Sequence, residues 1–143
     1  MYKRQDNFLA VSPNNLQAYL IEVAYRKQAA DDPKVDAATK QSGLDAVATY
    51  AKKGLDVTKL PLDPKSGMTQ PQLDAIVAIA TPTFYGAIAE DAMNNKDGAG
   101  AIAAYKAELA AIKPDQLTQP ATLKEVFFLA QAYRLLTPPD YTS

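Results

Sequence analysis

Neither cysteine nor histidine occurs anywhere in this chain of 143 residues. Their absence excludes disulfide staples, thiol nucleophiles, histidine-based metal sites and every catalytic triad built on imidazole. An excess of charge of one sign is missing too. The 15 basic and 16 acidic residues are spread along the chain and leave a net charge of −1. With no basic block and no acidic tail, the usual electrostatic case for nucleic acid or an anionic membrane falls away. No unbroken run of about 18 apolar residues occurs, so no segment is expected to insert into or span a membrane. Met1 is followed by "YKRQDNF" rather than by an apolar signal core. A cysteine-free chain suits the cytoplasm and the bacterial periplasm alike, so compartment stays open. Strand-like alternation of Val, Ile and Thr is scarce. What is present is a 48% apolar share, ordinary for a chain with a packed core, in a composition dominated by helix formers.

Breakers divide the chain into helical pieces. In "SPNNLQAYLIEVAYRKQ" a helix is expected from about Asn14 to Ala29, capped by Ser12 or Asn14 with Pro13 near the first turn. Leu16, Tyr19, Leu20 and Val23 form its apolar stripe, widened by Ala24 and Tyr25. "ADDP" then offers Asp31 or Asp32 as a cap for a second helical region, about Pro33 to Leu55, which Gly43 either interrupts or leaves whole. Pro61, Pro64 and Gly67 make residues 56–70 a loop. Helical pattern returns from Pro71 to Asn95 with Pro82 inside it, so that either one helix kinks or Thr81 caps a second. "NNKDGAG" is a turn. The next helix carries Ile102, Tyr105, Leu109 and Ile112 on one face and stops at Pro114. A last helix from about Pro120 to Leu136 turns Val126, Phe127, Leu129, Ala130 and Tyr133 inward and ends at Pro138 and Pro139. Short connections predict antiparallel hairpins.

Two segments echo one another, "AVATYAKK" from Ala46 and "AIAAYKAE" from Ala101, 55 residues apart. The proline, polar turn and aromatic helix opening of Pro13, Asn14, Asn15 and Tyr19, followed by Ala24 and Tyr25, resemble the junction of tetratricopeptide repeats. "FYGAIAEDAMNNKDGAGAIAAYKAELAAIKPD" is similar to a nearly complete repeat, with Tyr85, Ile88 and Ala89 in its first helix and Ala101, Tyr105 and Pro114 in its second. "FFLAQAY" resembles another first helix. Alanines 89 and 101 suit the close crossing of a hairpin, and large side chains fill the gaps around it. The family's period is about 34 residues, so the longer spacing here places extra residues in 29–42 and 56–80. The resemblance implies an all-α fold of stacked antiparallel helical hairpins, a right-handed α-α solenoid of tetratricopeptide type. Residues 1–12 would be the tail of a preceding helix, 13–55 a hairpin, 56–70 a loop, 71–114 a second hairpin and 120–136 a first helix without its mate. On that reading the chain is a fragment of a longer protein, or associates with itself through its unfinished terminal hairpins.

Candidate chemistry is sparse. "DPKSGMTQPQLD", Asp63 to Asp74, has a passing likeness to a calcium loop, but Lys65 stands where an oxygen ligand belongs and no glutamate closes it. Asp31 with Asp32 suit a helix cap better than acid–base work, and Glu90 with Asp91 point apart on a helix. Gly98 and Gly100 lack the strand and spacing of a phosphate loop. No enzyme, cofactor or metal is expected. Tyr19, Tyr25, Tyr50, Tyr105 and Tyr133 fall at core spacing. In tetratricopeptide proteins the first helices line a concave groove that holds a peptide or a partner's helix. The resemblance places Gln17, Leu20, Val23, Arg26 and Lys27 there, then Glu90, Met93 and Asn94, then Lys124, Phe127, Gln131 and Arg134. Arg26, Lys27, Lys124 and Arg134 would accept an acidic peptide or a terminal carboxylate, or else serve only as solubilising charges. The implied function is a non-catalytic protein-interaction scaffold; a structural spacer or assembly module of a larger protein is the alternative.

Overall fold

A computed structural model describes residues 8–136. Residues 1–7 of the helical tail expected over 1–12, and the stop expected at Pro138 and Pro139, lie outside them. Residues 8–11 are helical and are followed by five α-helices: α1 Leu16–Ala30, α2 Ala37–Thr58, α3 Gln70–Asn94, α4 Gly98–Ala111 and α5 Pro120–Leu136. A short 3₁₀ turn, Pro114–Gln116, joins the last two. The protein is all-α, and each helix lies antiparallel against its neighbour in the chain, with α1 also touching α3.

Local chemistry sets the boundaries. Asn15, rather than Ser12 or Asn14, caps α1 by accepting the Ala18 N–H at 2.9 Å. Pro13 therefore lies in the turn before the cap. Helix α2 begins later than "ADDP" implies. Asp32 closes a local turn onto the Lys34 N–H at 2.9 Å, and Asp36 becomes the true cap, accepting from Thr39 N–H at 2.9 Å. The same helix runs unbroken through Gly43 and on to Thr58, because Val57 still packs against the core. At Gly43 a Cβ would stand 3.0 Å from that of Ala30, so the glycine lets α1 and α2 close up. Helix α3 is also continuous through Pro82; Thr81 and Thr83 donate to the carbonyls of Val77 and Ile79 at 2.8 and 2.7 Å instead of capping a new helix. Among the described residues α3 is long and apolar enough to cross a membrane by length and composition alone. No unbroken apolar run marks it in the sequence, because glutamine, threonine and proline interrupt it.

The core has two parts that share α3. The first gathers Leu16, Tyr19 and Val23 of α1, Val47, Ala51 and Leu55 of α2, and Ala80, Phe84 and Ala87 of α3. The second is built mainly of alanine: Ala89 and Ala92 of α3, Ala101 and Ala104 of α4 and Ala132 of α5, around Ile102 and Tyr105. Ala89 and Ala101 are both fully buried, as a close helix crossing requires.

Helix α5 is turned differently from expectation. Thr122, Phe128, Leu129 and Ala132 face the protein, whereas Val126, Phe127, Ala130 and Tyr133 are exposed. The helix is apolar on two sides, and the side that meets α4 is the one whose small Ala132 lets the backbones approach. Of the five tyrosines expected in the core, Tyr19 and Tyr105 are buried, Tyr25 and Tyr50 half-buried and Tyr133 exposed. The echoing segments lie in α2 and α4, but only Val47 and Ile102 are buried at equivalent positions in both. No tetratricopeptide repeat or solenoid register is evident among the described residues.

Candidate functional site

The principal concavity, about 410 Å³, opens between α1, α3 and α5, with α4 beneath. Helix α1 contributes Val23 and Lys27, with Asp31 just beyond its end. Helix α3 contributes Thr83, Gly86, Ala87, Glu90 and Met93. Helix α5 adds Lys124, Glu125, Phe128 and Gln131, and α4 supplies Tyr105 and Glu108. Antiparallel hairpins produce this arrangement: when each helix reverses on the last, alternate helices face the same way.

Six of the twelve residues proposed for a concave face come together here, namely Val23, Lys27, Glu90, Met93, Lys124 and Gln131. The other six are elsewhere. Leu20 packs on the first core, and Gln17 and Arg134 are on open surface. Asn94 bonds Gln41 of α2, while Phe127 lies on the outer side of α5 against Phe128. Arg26 turns toward α2, pairing with Glu22 and lying 4.6 Å over the Tyr50 ring.

Charge in the cleft is predominantly acidic. Lys27 pairs with Glu90 at 2.6 Å. Burial works against its ammonium, but the bond and charge of Glu90, aided by Asp31 and Glu125, hold its pKa above the ordinary lysine value. Glu108 is 8% exposed, and its Oε2 has no hydrogen-bond partner. A Cβ on Gly86 would stand 2.7 Å from Glu108 Oε1, so the missing side chain there makes room for the carboxyl. Burial, then the charge of Glu125 and of Glu90 against the opposing pull of Lys27, pushes the Glu108 pKa up to about 8. Glu125 is raised too, chiefly by burial, and the Tyr105 phenol is raised by burial and by the surrounding carboxylates. Glu90 and Asp91 do point apart. Asp91 faces α2, where Asn95 Nδ2 donates to it at 3.1 Å and to Asp45 at 3.3 Å. Burial and the neighbouring Asp45 push Asp91 up to about 6. Among the described residues no acidic cluster is arranged to hold a metal ion.

Glu108 has a measurable consequence. An unfolded chain releases this proton near the ordinary value of 4.5, whereas the folded chain keeps it to about 8. The group therefore costs nothing below the lower value, and stability falls as pH rises between the two. Glu108→Gln should match the parent near pH 4.5 and exceed it above pH 8, by on the order of 2 kcal/mol after discounting for solvent in the cleft. Urea unfolding at both pH values measures the difference; a pH-independent gap would contradict it.

No family model matches this chain, and the searches of curated proteins and of solved structures likewise find no match.

Proposed function

We propose that this chain is a divergent tetratricopeptide-like scaffold that binds a peptide or partner segment, without catalysis, in the cleft between α1, α3 and α5. The observation that carries the reading is the composition of that cleft: its walls come from α1, α3 and α5, alternate helices of the chain, with α4 only at its floor and α2 contributing nothing. Met93, Phe128 and the stems of Lys27 and Lys124 give it apolar contact surface, while its carboxyl and ammonium groups supply orientation. Selection from a library of random linear peptides tests this. Recovered peptides should lose at least about tenfold in affinity with Met93→Asp and none with Lys52→Glu on α2. A library that yields no binder sensitive to Met93 favours the spacer reading instead.

A second reading, self-association, is supported by a separate feature. Leu123, Val126, Phe127 and Tyr133 leave an apolar stripe along the outer side of α5, with Phe127 58% exposed. Such a stripe suits the next helix of a stack, supplied by a second copy. Light scattering over a concentration series should show a dimer that Phe127→Asp abolishes; a monomer at all concentrations removes the reading.

A further inference from the structure

The cleft brings four carboxyl groups (Asp31, Glu90, Glu108 and Glu125) together with only two ammonium groups. Two of the four already have cations. Lys27 holds Glu90 at 2.6 Å, and Lys40 approaches Asp31 at 3.6 Å. Lys124 lies 5.3 Å over the Phe128 ring. Glu108 is more than nine-tenths buried at the floor of the cleft and lacks a donor for Oε2. A buried carboxyl oxygen without a hydrogen-bond partner is costly whether or not the acid is protonated, so such a group in an open cleft marks the place of a missing partner.

We propose that the cleft seats an arginine side chain from a basic partner segment, with Glu108 at the floor and Glu125 above it accepting from the guanidinium. The inference rests on the reading of this cleft as a partner-binding surface, and it names the partner's charge, opposite to the acidic peptide that the basic residues of the sequence suggest. Arginine suits the site: the Lys124 ammonium over Phe128 shows that a cation is accommodated at this wall, and a guanidinium fork reaches two carboxyl groups at once where an ammonium is a point charge. The gap opposite Gly86 leaves the Glu108 carboxyl its space.

The groups facing Glu108 are Lys27 from α1, Glu90 from α3, Glu125 and Lys124 from α5, and Tyr105 on its own helix. In the unoccupied cleft Glu108 keeps its proton up to about pH 8. A guanidinium requires the ionised form, so binding below that pH releases a proton and tightens as pH rises.

The experiment titrates the full chain with three blocked alanine peptides whose central residue is arginine, its neutral isostere citrulline, or glutamate. Calorimetry measures affinity, and amide NMR shifts locate the contact. The arginine peptide should perturb the Gly86 and Glu108 amides, bind at least about tenfold more tightly than the citrulline peptide, and tighten between pH 6 and 8. Glu108→Gln has the shape of the protonated acid, so it should fold while losing that preference; Glu125→Gln should lose part of it. Cleft binding by the citrulline or glutamate peptide with equal or greater affinity overturns the arginine assignment and leaves the groove reading standing. So does an undiminished preference in Glu108→Gln. Failure of all three peptides to perturb any cleft residue overturns the arginine assignment, while loss of Met93-sensitive library binders is what would overturn the groove reading itself.

Discussion

Gly54→Ala is expected to destabilise the protein by about 2 kcal/mol, even though alanine is the better helix former by about 1 kcal/mol. The reason is the crossing of α2 and α3. A Cβ at Gly54 would stand 2.5 Å from both Cε2 and Cζ of Phe84 and 3.0 Å from its Cδ2. The atoms it meets belong to a rigid ring with no exposure to solvent, enclosed by the first core. That ring cannot swing aside as a flexible chain end could, so either it leaves its rotamer or the helices separate. Overpacking typically costs about 1–3 kcal/mol, and a 2.5 Å approach to a rigid ring puts it at the upper end, about 3, which leaves a net loss of about 2 after the propensity gain. The reciprocal change, Phe84→Ala, should cost about 3–5 kcal/mol, because the facing glycine has no side chain to fill the cavity. Combining Gly54→Ala with Phe84→Leu should cost less than the two single changes added together. Urea unfolding measures all of these. A Gly54→Ala protein as stable as the parent would mean that α2 and α3 do not cross at this point.

The order of the helices was legible because capping residues and loop prolines punctuate the sequence, and because stripes such as Leu16, Tyr19 and Val23 have an unambiguous helical period; their number was not, because Gly43 and Pro82 read as breaks yet lie inside continuous helices. Boundaries shifted where several caps competed: Asp31, Asp32 and Asp36 are all able to start α2, and the structure uses the last. Periodicity was insufficient for α5, since Val126 and Phe127 define one stripe and Phe128, Leu129 and Ala132 another. Which stripe faces inward depends on how closely α4 can approach, a tertiary property absent from the local pattern. At the cleft, Lys27, Glu90 and Lys124 were reached through the resemblance, but the acids beneath them were missed. The signal was present. Glu108 stands three residues after the buried Tyr105 on the inward side of α4, as Glu22, outside the cleft, does after Tyr19 on α1. Counting only apolar positions passes over a charged residue that occupies a core position.

The burial of Glu22 gives Arg26 a structural role. Arg26→Ala is expected to cost about 3–5 kcal/mol, a loss of stability rather than of partner binding. Glu22 is 0% exposed, and Arg26 Nε is its charge partner. The guanidinium also lies over Tyr50, 3.4 Å from the phenol oxygen, and so ties α1 to α2. Removing it leaves a buried carboxylate whose Oε2 already lacks a hydrogen bond, the situation in which deleting one partner costs far more than the pair contributes. Arg26→Lys keeps the charge but not the flat fork that both bonds and stacks, so it should fall between the two. Replacing the pair together, Glu22→Leu with Arg26→Met, removes the buried charge altogether and should recover most or all of the loss. The comparison separates two roles for one residue. A groove-facing arginine would leave the melting curve in place and weaken peptide binding, whereas an arginine serving Glu22 moves the melting curve first, and the double replacement moves it back.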